Sequence, residues 1–189
     1  MIGRGEPASD PRSLPPRESL SLSYLIPNLG IGLFAVAAFG DVRTRRIPNA
    51  LVASVAALGL VRLMMAGDPG AAIPGVVTAA VVLAVGFLLF WWGLIGGGDA
   101  KLAAAAVLLL GHHAVSEFIV TMSLAGLVVS LAVFVNHWLK RRANVPPQYV
   151  AADARLAQPT VPYGVAIAAA GILILALQSA IPLQFSIPR

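Results

Sequence analysis

Two aspartates stand where acidic side chains are unusual, at the ends of long apolar stretches. Asp41 ends the first stretch, in GDVRTRRIPNALV, and Asp99 opens a later one, in IGGGDAKL. A carboxylate at the edge of the hydrocarbon is costly, so such residues usually face a protein interior or a polar cavity. Two carboxylates at one depth can share a proton, because neighbouring like charges do not both ionise easily. One then activates water and the other protonates a leaving amine, which is aspartic-protease chemistry.

Each aspartate also has a structural interpretation. Asp is a favoured N-cap residue, and Asp99 stands where an apolar stretch begins. Asp41 is close in sequence to Arg43 and Arg45, either of which would satisfy an interfacial charge. Taken singly, each aspartate fits either interpretation, and only the pair at one depth favours the catalytic one.

Three glycines, Gly96 to Gly98, directly precede Asp99. Glycine permits a positive φ and lets another backbone come close, and an extended peptide beside a catalytic aspartate needs that clearance. Taken alone, the glycines are equally typical of a flexible, helix-breaking loop. A phosphate-binding loop is disfavoured because no Gly-Lys-Ser/Thr follows.

The composition places these residues in a membrane protein. Hydrophobic residues make up 58% of the 189 residues, charged residues only 11%, and the mean hydropathy is +0.85. Soluble domains average roughly 25% charged residues, so an ordinary soluble enzyme, a disordered protein and a nucleic-acid-binding domain are excluded. The absence of cysteine excludes disulfides and thiolate metal sites. An all-α, polytopic integral membrane protein remains.

A bilayer core of about 30 Å needs roughly 20 apolar residues in a helix. Five stretches approach this length and a sixth is shorter, which predicts about six transmembrane helices over residues 22–40, 49–66, 71–95, 99–111, 115–139 and 162–183. The fourth is too short to span alone unless the glycine-rich segment before it lies at membrane depth. Irregular backbone is tolerated there only when it is buried in protein or lines a polar cavity. The short stretch therefore indicates a site.

Residues 1–20 are expected to form a disordered tail, and residues 21–189 the membrane domain.

The distribution of basic residues predicts the orientation of this domain in the membrane. Segments 43–46, 96–101 and 140–159 are expected to face the cytoplasm and both termini to lie outside. One set of loops holds eight Lys and Arg (Arg43, Arg45, Arg46, Lys101, Lys140, Arg141, Arg142, Arg155) and the other holds five (Arg4, Arg12, Arg17, Arg62, Arg189).

The segment around Asp99 resembles the second-aspartate motif of the prepilin peptidases, which are GxGD-type intramembrane aspartyl proteases. Gly96, Gly98 and Asp99 fill the GxGD pattern, and GGGDAKL over 96–102 matches its longer form. A lone GxGD would be a weak signal, so the other two motifs of the family matter.

Both of those motifs are present in the expected order. Asp41 followed by Arg46-Ile47-Pro48-Asn49 matches the first-aspartate motif, an Asp with a basic residue and IPN soon after it. Pro162-Tyr163-Gly164 resembles the segment that opens the last helix in that family. The resemblance therefore covers nearly everything after the tail.

The resemblance implies a catalytic pair, Asp41 and Asp99. Further motif positions support the site without individual roles: Arg46, Pro48, Asn49, Gly96, Gly98, Lys101, Pro162, Tyr163 and Gly164. It also implies that the protein cleaves a short basic leader from pilin-like precursors at the cytoplasmic face of the inner membrane. Prepilins, pseudopilins and membrane lipid are then its partners, and the pilus assembly machinery is a candidate partner.

Larger members of the family carry paired cysteines in an amino-terminal region and also N-methylate the new terminus. This chain has no cysteine and only a short tail there. The resemblance is therefore to the short type that serves Flp (tight-adherence) pili, and no methyltransferase activity is expected. No metal or organic cofactor is implied, since a carboxylate pair can activate water by itself.

Two other interpretations are weaker. His113 and Glu117 could share a helix face, but His112 would point about 100° away, and a metal site usually needs three or four ligands. These residues are expected to be interfacial and remote from the aspartates. A non-catalytic transporter or assembly subunit would use Asp41 and Asp99 as a proton or cation relay. Transporters commonly show internal repeats, and none is found here.

Overall fold

The computed structural model describes residues 17–67, 69–142 and 163–180 of the chain. This described part is helical and contains no β-strand, which confirms the all-α prediction. A 3₁₀ turn, His112–Ala114, joins the fourth helix to the fifth. The α-helices are α1 (Arg17–Thr44), α2 (Asn49–Ala66), α3 (Pro69–Trp91), α4 (Gly97–Leu110), α5 (Val115–Arg142) and α6 (Tyr163–Ala180).

Five of these six helices contain a stretch long and apolar enough to cross a membrane. The candidate spans are Leu25–Thr44, Asn49–Ala66, Ala72–Trp91, His112–Asn136 and Tyr163–Ala180. Large apolar side chains on these helices stay exposed, as lipid-facing surfaces require, for example Phe87 and Leu124. The prediction of an all-α, multi-pass membrane protein is therefore confirmed. Of the about six membrane helices predicted, five have a length and composition that can span a membrane, and α4 does not.

Helix α4 lies at the centre of the bundle and is too short to span a membrane. Its 14 residues extend over only about 21 Å at 1.5 Å per residue, against about 30 Å of hydrocarbon. It packs against α2, α3 and α6, while α1 and α5 both pack along α6. Leu102, Val107 and Leu109 of α4 are fully buried. The short fourth segment predicted from the sequence is thus a buried helix surrounded by longer ones.

Small residues bring the helices close to α4 and α6. A Cβ atom added at Gly59 of α2 would lie 2.8 Å from the backbone nitrogen of Leu109, and one at Gly86 of α3 would lie 2.9 Å from Cβ of Ala100. In α6, Gly171 leaves room for the ring of Phe34 from α1. Close backbone approach through small residues is how membrane helices gain packing contacts without a hydrophobic driving force. These contacts fix α4 within the bundle.

The carboxyl end of α4 lies inside the bundle, where side chains from neighbouring helices donate hydrogen bonds to its last carbonyl groups. The last carbonyl groups of a helix lack intrahelical partners. Arg62 of α2 donates a hydrogen bond to the Leu109 carbonyl, and Nε2 of Gln178 in α6 donates to the Leu110 carbonyl at 3.3 Å. From the sequence, Arg62 is counted among the loop residues that set the orientation of the protein in the membrane. The structure places it inside α2, partly buried, where it caps α4.

Some sequence predictions fall at the limits of the described residues. Helix α1 begins at Arg17, so residues 17–20 of the expected tail are helical. Residues 1–16, most of the segment 140–159 and Pro162 lie outside the described residues.

Candidate active site

Asp41 lies in the last turn of α1, three residues before its end at Thr44, and is nearly sealed from solvent, with 6% of its surface exposed. The backbone N–H of Val165 donates a hydrogen bond to its Oδ2 at 3.2 Å, and the N–H of Gly164 also donates to the carboxylate. These N–H groups belong to the first turn of α6, where a helix has unpaired donors and a partial positive charge. Asp41 therefore caps α6 from a different helix.

Gly164 is the residue that lets Asp41 come this close. A Cβ atom at position 164 would lie 2.8 Å from Oδ2 of Asp41, 2.9 Å from its Cγ and 2.9 Å from Cδ1 of Ile47. No side chain larger than hydrogen fits there without moving the carboxylate. The glycine of the Pro-Tyr-Gly segment thus has a physical function that its sequence position alone did not indicate.

The connection between α1 and α2 is a tight turn that starts at Asp41. The Arg45 N–H donates to the backbone carbonyl of Asp41 at 2.9 Å. Arg45 has φ 52°, a left-handed conformation that residues other than glycine adopt rarely. Its positive charge acts on the Asp41 carboxylate, as the structural interpretation of Asp41 expected. Pro48 then takes the N-cap position of α2, so the two helices are joined by only a few residues.

Ile47 in this turn contacts both the glycine motif before Asp99 and the Pro-Tyr-Gly segment, and it is not among the site residues predicted from the sequence. A Cβ atom at Gly98 would lie 3.4 Å from Cβ of Ile47, and one at Gly164 would lie 2.9 Å from its Cδ1. Ile47 therefore packs between the start of α4 and the start of α6. Its place in the Arg46-Ile47-Pro48-Asn49 motif was the signal in the sequence, but that motif does not indicate which later helices Ile47 contacts.

Asp99 occupies the third position of α4. The N-cap is Gly96, rather than Asp99 as the structural interpretation had supposed, and the Gly96 N–H donates to the Asp99 carboxylate. A side chain at the third position that reaches back to the N-cap N–H is one half of a capping box. Asp99 therefore starts α4 as well as being a candidate catalytic group.

The three glycines before Asp99 serve close approach rather than a special backbone conformation. None of them has a positive φ. A Cβ atom at Gly96 would lie 2.8 Å from Oδ2 of Asp99, one at Gly97 would lie 3.4 Å from the ring of Phe90, and Gly98 faces Ile47. Of the two reasons given for glycine in the sequence analysis, clearance is therefore the one that applies.

The environments of the two aspartates are coupled. Asp99 is half-buried and lies outside the five candidate spans. Burial, and then the negative charge of Asp41, raise the pKa of Asp99 to about 6, against the opposing effect of the Gly96 N–H. Asp41 and Asp99 are thus close enough to interact electrostatically although they lie on different helices. A carboxyl group that titrates near neutral pH is suited to proton transfer.

A cavity of about 360 Å³ lies beside Asp99, between α3, α4, α5 and α6. Asp99 and Tyr163 contribute to its lining, and the remainder is mainly apolar, including Leu89, Met122 and Ile167. Its volume falls within the range of about 300–1,000 Å³ that is typical of ligand sites. Asp41 is not part of the lining, so the two aspartates differ in access.

Other motif residues lie around this pair. Nζ of Lys101 in α4 donates to Oδ1 of Asn49 in α2 at 3.4 Å, and both side chains are exposed. The Arg46 side chain is exposed as well. The structure therefore brings Lys101 and Asn49 together.

The histidines lie at the other end of α4. The rings of His112 and His113 are 3.8 Å apart, and Ser116 donates a hydrogen bond to Glu117 at 3.0 Å. Within residues 17–67, 69–142 and 163–180, no cluster of three or more His, Cys, Asp and Glu residues is placed to hold a metal ion.

Comparison with known proteins identifies one family. Residues 29–131, just over half of the chain, match the model of the type IV leader peptidase family. The matched region contains both aspartates and ends before α6. The chain matches no curated protein and no solved structure.

Proposed function

This chain belongs to the type IV leader peptidase family, and we propose that it is an aspartic endopeptidase with Asp41 and Asp99 as its catalytic pair. The observation that carries the proposal is that the starts of α4 and α6, which hold Asp99 and Asp41, meet at Ile47, so that the charge of Asp41 acts on Asp99 beside a cavity. The family membership supports a membrane protease, and the geometry supports this pair as its reacting groups.

The reaction needs only the two carboxyl groups and water. One carboxylate accepts a proton from a water molecule while the oxygen of that water attacks the scissile carbonyl carbon. The C–N bond then breaks as the other carboxyl group donates its proton to the leaving nitrogen. The products are a leader with a free carboxylate and a mature chain with a new amino terminus. No metal and no organic cofactor takes part.

The proposed substrates are Flp-type prepilins and pseudopilins in the inner membrane, cleaved at its cytoplasmic face. The side follows from the basic residues in the turn after Asp41, namely Arg43, Arg45 and Arg46, because positive residues flank the cytoplasmic ends of membrane helices. The substrate class rests on the resemblance to the cysteine-free members of the family. The new amino terminus is expected to remain unmethylated for the same reason.

The test is co-expression of the full chain with an Flp-type prepilin. Asp41→Asn and Asp99→Asn are compared with wild type and with Glu117→Gln, a matched control in which an exposed carboxylate outside the candidate site is removed. Precursor size is followed by gel electrophoresis, membrane insertion by fractionation, and the new terminus by mass spectrometry. Wild type and Glu117→Gln are expected to process the precursor, and neither aspartate variant is.

Three results would count against the proposal. Processing by either aspartate variant would remove that residue from the chemistry. A precursor left intact by wild type, across a panel of Flp-type prepilins, would favour the non-catalytic alternative in which the aspartates form a proton or cation relay. A methylated product would contradict the assignment to the type that only cleaves.

A further inference from the structure

The cavity beside Asp99 reaches from the candidate reacting group into the bundle. Asp99 of α4 and Tyr163 of α6 line one end of the cavity. Ala103 and Ile167 line it one helical turn further along the same two helices. Four residues of α-helix cover about 6 Å. A group placed in this cavity therefore touches Asp99 at one end and apolar side chains at the other.

The chemistry of the cavity selects apolar groups. Apart from Asp99 and Tyr163, the lining consists mainly of leucine, isoleucine, methionine and alanine side chains, with Gly126 and two serines, Ser123 and Ser130. The hydroxyl of Ser123 donates to the Ile119 carbonyl of its own helix at 2.7 Å. Burial of apolar surface is favourable. Among the described residues of the lining, Asp99 is the only charged one, so further basic side chains beyond the one beside Asp99 would lose their hydration there without a partner. The basic leader of a precursor is therefore excluded as the occupant.

We propose that this cavity is the subsite for the first apolar side chain on the carboxyl side of the scissile bond, and that Gly126 sets the size of side chain it accepts. The inference rests on the proposed function, because it places the scissile bond at Asp99. Because the proposed precursors lie in the inner membrane and their basic residues lie in the leader, the segment after the scissile bond is the part expected to enter apolar surroundings. The cavity offers that surface directly beside the carboxyl group.

Gly126 is the position at which the width of the cavity is set. It lines the cavity from α5, and a Cβ atom added there would lie 3.8 Å from Cβ of Ala166 in α6, an ordinary contact distance. Gly126→Ala is therefore accommodated between the two helices. Gly126→Leu adds a branched side chain, which is expected to extend into the cavity and narrow it.

The first test is a matrix of enzyme variants and precursors. The precursors carry Ala, Leu or Phe directly after the scissile bond, and each is processed by wild type, Gly126→Ala, Gly126→Leu and Ala132→Leu. Ala132 is exposed on the same helix and serves as the matched control. In Gly126→Leu, kcat/KM for the Phe precursor relative to the Ala precursor is expected to fall by at least about tenfold, the discrimination typical of one or more methylenes in an apolar pocket.

The ratio between precursors separates specificity from folding. Membrane insertion and thermal unfolding of each variant identify a misfolded protein. In a Gly126→Leu enzyme that is inserted and unfolds like Ala132→Leu, an equal loss of activity on all three precursors would overturn the proposal. An unchanged ratio in Gly126→Leu would overturn it as well. The Gly126→Ala and Ala132→Leu variants are expected to keep the wild-type ratio.

A second measurement does not depend on cleavage. A photoreactive benzophenone side chain replaces the first apolar residue after the leader, and the precursor is crosslinked to the full-length Asp99→Asn variant in membranes. Crosslinks are expected on α5 near Met122 and Gly126 or on the lining residues of α4 and α6. Crosslinks confined to α1 and α2 would overturn the subsite. If the wild type cleaves no precursor, the proposed function fails, and the crosslinks still report whether the cavity takes the apolar segment.

Discussion

The surroundings of Asp41 and of Asp99 differ although the two side chains are chemically identical. Asp41 is 6% exposed and receives backbone N–H groups from the start of α6. Asp99 is half-buried, receives the N–H of Gly96 from its own helix and lines the cavity. One aspartate is held by another helix and the other is open to a ligand. We therefore expect Asp99 to be the member that meets the substrate first, and Asp41 to be the member whose position depends on the packing of the bundle.

The largest effect that this comparison predicts is at Gly164. Gly164→Ala is expected to lower kcat by about 100-fold, the cost of moving a reacting group by about 1 Å, because the new Cβ displaces both Asp41 and Ile47. Gly32→Ala is the matched control, since a Cβ at that position meets nothing within 4 Å. Steady-state kinetics on a prepilin measure both. A Gly164→Ala enzyme with wild-type kcat would show that Asp41 need not lie against α6.

The second prediction concerns stability and pH. The folded protein holds the Asp99 proton more tightly than the unfolded chain, because the pKa rises from 3.8 to about 6. This stabilisation is complete below the unfolded pKa and is lost as the pH rises through about 6. Asp99→Asn is therefore expected to be more stable than wild type at pH 7.5, by on the order of 2 kcal/mol after allowance for screening, and by about half of that at pH 5.

Asp41→Asn is expected to gain less stability than Asp99→Asn at pH 7.5, because the N–H groups at the start of α6 offset part of the cost of burying the Asp41 carboxylate. A neutral amide oxygen accepts weaker hydrogen bonds from the α6 N–H groups than a carboxylate does, which costs about 1 kcal/mol. Thermal unfolding of both variants in detergent at the two pH values measures the contrast. Equal changes in the two variants would refute the difference between the two environments.

The third prediction is a smaller loss at Gly96. A Cβ there meets only the carboxyl end of Asp99, with Oδ2 at 2.8 Å and Cγ at 3.6 Å, and that flexible end rotates away. Gly96→Ala is expected to lower kcat by about tenfold, less than Gly164→Ala, because Asp99 has free space beside it and Asp41 has none. If the two glycine variants ranked in the reverse order in the same assay, Asp99 would be the more tightly packed aspartate.

The smallest effect is expected at the link between Lys101 and Asn49. Their 3.4 Å hydrogen bond is long and exposed, and exposed polar pairs contribute about 0–1 kcal/mol. Lys101→Met, Asn49→Ala and the double variant should each unfold within about 0.5 kcal/mol of wild type, with less than about twofold change in activity. A loss of activity from Lys101→Met alone, without a change in stability, would give Lys101 a role in the reaction.

The sequence was most informative where the signal is local. The bounds of α2, the short α4 and both aspartates follow from apolar length and from motifs that lie within a few residues. The contacts that hold the site are long-range. Val165 donates to Asp41 across 124 positions in the chain, and Ile47 packs against glycines of two later helices. Periodicity and spacing carry no information about such pairs.

Arg62 illustrates the same limit. Its charge near the end of an apolar stretch predicted a loop position, because that is where membrane proteins usually place arginine. The structure uses it to satisfy the Leu109 carbonyl at the end of α4. A short central helix creates unpaired carbonyl groups within the bundle, and which neighbouring helix supplies the donor depends on packing.

The most direct test of the account is the rate at which the purified full chain processes a prepilin with one or both aspartates replaced. Residues that act as a unit show strongly non-additive effects. Asp41→Asn and Asp99→Asn are each expected to reduce the rate to background, and the double variant is expected to lower it no further, while Glu117→Gln keeps the wild-type rate. Residual activity in both single variants, with losses that add in the double variant, would contradict a shared reaction of Asp41 and Asp99.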